Sequence, residues 1–258
     1  MKLNLYTKKI FLQTLYFLIL KEFSIRYKGT FFGYLWTVLN PISFSIIYFM
    51  AFKIVMRFEI DNYIIVLLTA MFPWFWISTT LIQGTTSFRN NSTLLKKLNF
   101  NYITLPLSNL LHDCIHFIFS IPVILCLLFL HDFNFYLSWL WQIPTMIFVQ
   151  IFFLFPLILI FSTLNVFVRD IEYIISVLLT MIFFLTPIIY TEDMIPEYLK
   201  IFFQFNPFNI LISNWRSLFM DGNLNLLQLL IFIIPMFILV FFSRVYYFRK
   251  KGKFSEYL

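Results

Sequence analysis

The sequence is poor in the residue types from which soluble domains and phosphate-binding loops are built. Only 12% of its 258 residues are charged, whereas about a quarter are charged in a typical soluble domain. It has two alanines and five glycines, so its apolar bulk comes from Phe, Ile and Leu. No G-x-x-x-x-G-K-[ST] phosphate-binding loop is present, because Gly252 and Lys253 are followed by Phe254. The chain therefore has no P-loop with which to hydrolyse ATP.

Cysteine is also scarce. Cys114 and Cys126 are the two cysteines, and both lie in one hydrophobic run. They would be separated by roughly 18 Å if that run is a helix. We therefore expect no disulfide between them within that helix.

Long apolar runs are abundant. A membrane-spanning helix needs about 20 apolar residues, and six runs meet this requirement: 35–56, 63–84, 105–130, 139–164, 171–190 and 224–243. They predict an all-α integral membrane protein whose single transmembrane domain, residues 1–258, contains six transmembrane helices. The remaining segments are too short to fold as independent domains of typical size.

The surplus of 19 basic over 12 acidic residues fits a nucleic-acid partner, an anionic membrane surface or a topological signal. Fifteen basic residues fall in the N-terminal segment, the second and fourth loops and the tail, and four fall in the other loops. The positive-inside rule turns this asymmetry into an orientation with both termini in the cytoplasm. We therefore expect membrane lipids, and no nucleic acid, as partners.

The N-terminal segment, residues 1–34, predicts a helix that lies in the cytoplasmic interface of the membrane. Its apolar run from Ile10 to Leu20 is too short to span, and Lys21 and Glu22 follow in place of a signal-peptide cleavage site. A poorly ordered arm is the alternative. Gly29 and Gly33 then form an elbow before the first span, where they either bend the chain or allow close helix packing.

A polar stripe runs along the predicted third span, and its members are Asn109, His112, Asp113, His116 and Ser120. Such stripes usually face the interior of a helix bundle, where they form interhelical hydrogen bonds or line a wet cavity. The stretch from His112 to His116 also mimics the H-E-x-x-H zinc signature, with Asp in place of Glu. A membrane-embedded metalloenzyme is therefore an alternative, although the one other histidine, His131, lies near the opposite end of the same helix. Metal analysis of the purified protein separates the two.

The cytoplasmic loop of residues 88–100 predicts a short helix capped by Asn91 or Ser92. It carries an apolar ridge and two lysines: Leu94, Leu95, Leu98, Lys96 and Lys97. An apolar ridge on such a loop indicates a docking surface. A helix resting on the membrane surface is the alternative.

The outer segment, residues 191–223, is too apolar for a free loop and too broken to span. Pro196 and Pro207 divide it into two short pieces that suit re-entrant helices. Its large aromatic side chains are candidates for an outer gate: Phe202, Phe203, Phe208 and Trp215.

Several stretches together resemble one family. They are YKGTFFGYLWTVLNP (27–41), NNSTLLKKLNF running into ITLPLSNL, NVFVRDIEYI, FFLTPIIY and NPFNILISNWRSLFMDG. The sequence resembles permease subunits of type-two ABC exporters, in the Wzm-like and TagG-like branch that exports O-antigen, capsule and teichoic acid polymers. It departs from that branch at Phe100, Asn101 and Tyr102, where members commonly have Phe-Pro-Arg.

The resemblance implies a homodimer in the bacterial cytoplasmic (inner) membrane, driven by two separate ABC ATPase subunits that bind Mg-ATP. These subunits would contact the loop from Leu94 to Leu98. The chain itself would be no enzyme and hold no cofactor or metal. The substrate would be a glycan on undecaprenyl pyrophosphate or a similar carrier, and we expect Lys21, Arg26 and Lys28 to help recruit the anionic carrier. An exporter of a small drug or lipid with the same fold is the alternative, and the co-purifying lipid distinguishes it.

Overall fold

The structure, a computed structural model, describes the backbone of residues 2–98 and 100–257. It describes the side chains of residues 8–26, 28–98, 100–254, 256 and 257, so Asn99 of the predicted docking loop lies outside the described residues. Every long element in this part of the chain is helical, as the predicted all-α class requires. The helices are α1 (Lys2–Tyr27), α2 (Trp36–Tyr48), α3 (Tyr63–Asn90), α4 (Ser92–Lys97), α5 (Thr104–Leu130), α6 (Trp139–Phe167), α7 (Ile171–Phe184), α8 (Glu197–Gln204), α9 (Pro207–Asp221), α10 (Leu226–Lys250) and α11 (Phe254–Tyr257).

Five helical stretches are long and apolar enough to cross a membrane. They agree with five of the six predicted spans, and they are Gly33–Val55, Tyr63–Asn90, Thr104–Leu130, Trp139–Phe167 and Leu226–Lys253. The first is composite, since a 3-10 turn precedes α2 and a π-helical segment, Phe49–Val55, follows it. α7 has 14 residues and ends at Phe184, short of the predicted residue 190. At 1.5 Å per residue it is about 21 Å long, less than the roughly 30 Å of a bilayer core.

α7 ends before Pro187, which has no backbone N–H with which to continue the helix, and side chains from elsewhere hydrogen-bond the carbonyls of the turn that follows. The Arg216 guanidinium donates through Nη2 to the carbonyl oxygens of Pro187 at 2.7 Å and Ile188 at 3.1 Å. The Tyr63 hydroxyl donates to the carbonyl of Ile189 at 2.7 Å. Burial lowers the pKa of Arg216 to about 10, against the opposing effect of the Glu192 carboxylate. The arginine therefore stays charged at neutral pH while its hydrogen bonds hold this turn in place.

α3 is the central helix and contacts α2, α5, α6, α7 and α9. In its most apolar stretch 78% of the residues are buried, compared with 11% in the first span and 22% in the last. Gly84 permits the close approach of α6, since a Cβ there would lie 2.7 Å from Cγ2 of Ile158. The first and last spans thus keep broad apolar faces that suit lipid or another membrane helix.

A second apolar cluster, named here the end cluster, joins α1, α3, α4, α5, α6, α10 and α11 at one end of the bundle. Its buried members are Leu18, Phe88, Leu95, Leu105, Leu159, Val166, Tyr247 and Phe254. The Phe254 ring lies 5.0 Å from that of Phe88, measured between centroids. The C-terminal segment is therefore part of the packed bundle.

The two elbow glycines adopt left-handed backbone conformations, with φ of 80° at Gly29 and 49° at Gly33. No atom lies within 4 Å of the position that a Cβ would occupy at either residue. These glycines turn the chain from α1 into the first span and do not mediate close helix packing.

The outer segment contains two helices, α8 and α9, divided where the prolines predict. The Asn206 side chain caps α9 by accepting a hydrogen bond from the backbone N–H of Phe208 at 3.0 Å. Gly222 ends α9 at φ 65°, and a Cβ there would lie 2.3 Å from Cγ of Tyr136. α8 buries none of its side chains, whereas α9 packs on α3.

Candidate functional site

A buried polar cluster lies where α1, α3 and α5 meet. Asp113 of α5 is at its centre, with the side chain 2% exposed. The Arg26 guanidinium of α1 donates to Oδ1 of Asp113 at 2.6 Å, and the Thr80 hydroxyl of α3 donates to Oδ2 at 3.0 Å. We call Arg26, Thr80, His112, Asp113 and His116 the polar cluster.

The two histidines extend this cluster along α5, because a spacing of four residues places them on one face of the helix. Nδ1 of His112 is 3.1 Å from Oδ1 of Asp113, and Nε2 of His112 is 3.0 Å from Nε2 of His116. If His112 is neutral, its Nδ1–H donates to the carboxylate, so its Nε2 accepts from the Nε2–H of His116. The Phe23 ring covers His112 with centroids 4.4 Å apart.

A cavity of about 290 Å³ adjoins the polar cluster between α1, α2, α3 and α5. Arg26, Asp113 and His116 line it, as do other polar side chains that include Asn40, Thr79, Gln83 and Ser120. Its apolar walls are aromatic: Trp36, Phe72, Phe75, Trp76 and Phe117. Among the described residues, Nη2 of Arg26 is buried without a hydrogen-bond partner. The cavity thus offers the Arg26–Asp113 ion pair, hydrogen-bonding groups and aromatic faces to a ligand.

All five residues of the predicted polar stripe are buried, but they do different things. Asp113, His116 and Ser120 line the cavity. Asn109 donates to the backbone carbonyl of Gln83 at 3.3 Å and so links α5 to α3. The Ser120 hydroxyl bonds the carbonyl of Phe117 within its own helix. In residues 2–98 and 100–257, no group of three or more His, Cys, Asp or Glu is placed to hold a metal ion.

The three predicted lipid-recruiting residues have different surroundings. Arg26 is paired with Asp113. Nζ of Lys21 contacts Oδ1 of Asn91, at the junction of α3 and α4, and lies 3.4 Å from Oε1 of Glu22. Lys28 is exposed. The helix α1 is therefore held to the bundle by two polar contacts as well as by Leu15 and Leu18, which are buried.

The predicted docking ridge is divided between the inside and the outside of the subunit. Leu95 is buried in the end cluster, Leu94 is half-buried beside it, and Leu98 is exposed together with Lys96 and Lys97. The predicted side-chain cap of this helix is wrong, because neither Asn91 nor Ser92 forms it. Asn91 instead donates to the carbonyl of Ser87 at 2.8 Å.

The four predicted gate aromatics also separate. Phe202 is exposed on α8, and Phe203 and Phe208 are half-buried. Trp215 is buried in the centre of the subunit, where its Nε1–H donates to Oε1 of Gln150 at 2.6 Å. Its ring lies 4.9 Å from that of Phe117, measured between centroids.

Two charged contacts escaped the sequence analysis, although a signal for each was present. Asp113 lies well inside a predicted span, where an unpaired carboxylate is costly, so a basic partner was to be expected. Arg26, 87 residues away, is that partner. Arg216 likewise stood in an apolar segment, and its half-buried guanidinium required hydrogen-bond acceptors.

Comparison with known proteins adds independent information. The chain is 41% identical over 238 residues, 92% of each chain, to an "O-antigen export system permease protein RfbA" of Klebsiella pneumoniae. A second protein of that name from the same organism is 40% identical over 92% of each chain, and one from Myxococcus xanthus is 30% identical over 80% of each. Residues 13–220 match the family described as ABC-2 type transporter. This region includes the polar cluster, α4 and every apolar span described above except Leu226–Lys253. The chain is therefore a multi-pass membrane protein that belongs to the ABC-2 type transporter family.

Proposed function

We propose that this chain is the permease subunit of an ABC exporter that carries O-antigen polysaccharide across the bacterial cytoplasmic membrane. The observation that supports this most strongly is 41% identity to an O-antigen export permease over 92% of both chains. The absence of a P-loop from the sequence fits a division of labour in which two separate ATPase subunits bind Mg-ATP. Two copies of the permease would form the channel, and the exposed apolar faces of the first and last spans suit contact with a second subunit and with lipid.

In this proposal the chain crosses the membrane six times, and both termini and α4 face the cytoplasm. The fifth crossing in chain order uses α7 together with the non-helical residues 185–190, in which Arg216 and Tyr63 bond several backbone carbonyls. Such backbone is tolerated at membrane depth where protein side chains satisfy it. α8 and α9 then lie at the outer face and dip back toward the bundle.

This topology predicts which positions react with a membrane-impermeant thiol reagent in intact cells. In a variant without native cysteines, Asp193→Cys is expected to label strongly from outside and Thr93→Cys only after the cells are opened. Both side chains are exposed, so a difference in labelling would reflect the side of the membrane and not burial. The paired substitution Ser92→Cys, one residue from Thr93, controls for local reactivity. Labelling of Thr93→Cys in intact cells would reverse the orientation.

The substrate would be a glycan on an anionic polyprenyl carrier. The cavity beside the polar cluster supports this, because sugar faces stack on aromatic rings and sugar hydroxyls bond side chains such as Asn40 and Gln83. Lys28, with Lys21 and Arg26 on the same segment, would attract the carrier phosphate, each basic side chain contributing roughly 1 kcal/mol near an anionic surface.

Deletion of the gene tests the function. We expect the deletion strain to lose O-antigen from its surface and to accumulate carrier-linked glycan inside, because synthesis continues while export stops. The plasmid-borne gene should restore the surface glycan, measured by gel electrophoresis and antibody binding. Unchanged surface glycan in the deletion strain, together with sensitivity to small drugs, would favour a drug or lipid exporter of the same fold.

A further inference from the structure

Three separate segments meet beside the start of α4 and enclose a polar cavity of about 310 Å³. The end of α3 contributes Arg89 and Asn90, α4 contributes Ser92, the α6–α7 connection and the start of α7 contribute Arg169 and Glu172, and α11 contributes Tyr257. We call this the arginine cavity. The sequence assigned these segments to one side of the membrane but gave no reason for them to meet.

The cavity rests on a rigid floor. The Tyr257 ring packs edge-on against Phe167 of α6 with centroids 4.8 Å apart. Phe88, one residue before Arg89, is completely buried in the end cluster, and Leu95 of α4 lies in the same cluster. The backbones that carry Arg89 and Ser92 are therefore fixed relative to each other.

The two arginines of the cavity carry unused hydrogen-bonding capacity. Among the described residues, none of the ion pairs or side-chain hydrogen bonds involves Arg89, Arg169 or Glu172. The described residues of its wall thus carry two guanidinium groups and one carboxylate, a net charge of +1. Guanidinium groups bind carboxylates with two parallel hydrogen bonds, and they are less strongly hydrated than lysine ammonium groups.

We propose that the arginine cavity receives an acidic side chain of the ATPase subunit and forms a second docking point next to α4. The inference rests on the proposed function, since it supplies the partner. Its physical basis is charge complementarity together with continuity with the docking helix, because Ser92 of α4 is part of the cavity wall. Exposed Leu98 provides the apolar contact and the arginines provide a charged contact beside it, an arrangement common in protein interfaces.

A protein side chain fits this cavity better than a membrane surface does. One inserted carboxylate can meet both guanidinium groups of the cavity. A concave pocket also favours a single projecting side chain over a broad bilayer. Because α3 ends and α7 begins in the cavity wall, a partner seated there would contact both of these helices at once.

The test is co-purification of the ATPase subunit with tagged full-length permease from membranes that express both. The variant Arg89→Glu, Arg169→Glu is expected to retain at least tenfold less ATPase than the wild type, and Arg89→Gln, Arg169→Gln an intermediate amount. The matched control Lys8→Glu, Lys9→Glu makes the same charge change on exposed residues of α1 and should retain the wild-type amount. Equal elution profiles in detergent establish that the variants fold.

The outcomes separate this inference from the proposed function. Wild-type permease that retains no ATPase contradicts the proposed function itself. If wild-type and charge-reversed permease retain equal amounts of ATPase, the docking role of the arginine cavity is overturned while the proposed function stands. The same holds if the charge-reversed variant keeps its ATPase but loses binding to vesicles of anionic phospholipid. Suppressors of the Arg169→Glu export defect that replace an acidic residue of the ATPase with lysine or arginine support it.

Discussion

Arg26→Met is expected to destabilise the subunit strongly, and the double substitution Arg26→Met, Asp113→Leu to destabilise it less. The single change leaves a carboxylate that is 2% exposed without its cationic partner. Removal of one member of a buried ion pair costs about 3–5 kcal/mol, whereas replacement of both by apolar residues is often tolerated. We expect the lower end of this range, because the Arg26 side chain is 22% exposed and the site is partly hydrated. The measurement is the midpoint of thermal aggregation in detergent.

The control for this pair is Lys28→Met, which removes an exposed charge from the same segment and should leave the midpoint unchanged. Asp113→Leu alone is expected to cost less than Arg26→Met, since the freed guanidinium can reach water while the freed carboxylate cannot. Additive effects of the two single changes would show that the 2.6 Å contact carries no coupling energy.

Leu95→Asp and Leu98→Asp are expected to fail in different ways although both alter the docking ridge. Leu95 is 8% exposed in the end cluster, so an aspartate there loses roughly 1.5–3 kcal/mol of apolar burial and places a charge among aromatic rings. We expect little folded Leu95→Asp protein in the membrane. Leu98 is 55% exposed, so Leu98→Asp should fold normally and lose ATPase binding about tenfold or more.

Folded yield and ATPase co-purification, measured on the same membranes, distinguish the two effects. Lys96→Gln, Lys97→Gln is the matched control on the same short helix, and it should change both quantities little because exposed ion pairs contribute little. Normal ATPase binding by folded Leu98→Asp would remove the ridge from the docking surface and leave the arginine cavity as the remaining candidate.

The spans were predictable because membrane crossing imposes a length and an apolar composition that are visible in any window of the sequence. α7 is the exception. Its sequence remains apolar to Tyr190, but Pro187 has no backbone N–H with which to continue the helix. A hydropathy pattern does not register this break, nor that Arg216 and Tyr63, both distant in sequence, bind the carbonyls of the following turn.

The candidate site was predictable in part for a related reason. Spacings of three and four residues identified the polar stripe on α5 from sequence alone, and all five members are buried. The identity of their partners was not available, because Arg26 and Thr80 come from other helices. The orientation of α4 was likewise undetermined, because this six-residue helix contains two leucines and the sequence does not show which of them packs into the end cluster.

The composition of the end cluster has a consequence for biosynthesis. Its members extend from Leu18 to Phe254, so the ribosome makes Phe254 after every other residue that packs there. The first five proposed crossings can enter the bilayer through the translocon while this end of the bundle still lacks one of its buried aromatic rings. The helix that is to receive the ATPase thus acquires its final packing after membrane insertion, and a prematurely terminated chain that reaches the membrane lacks that packing.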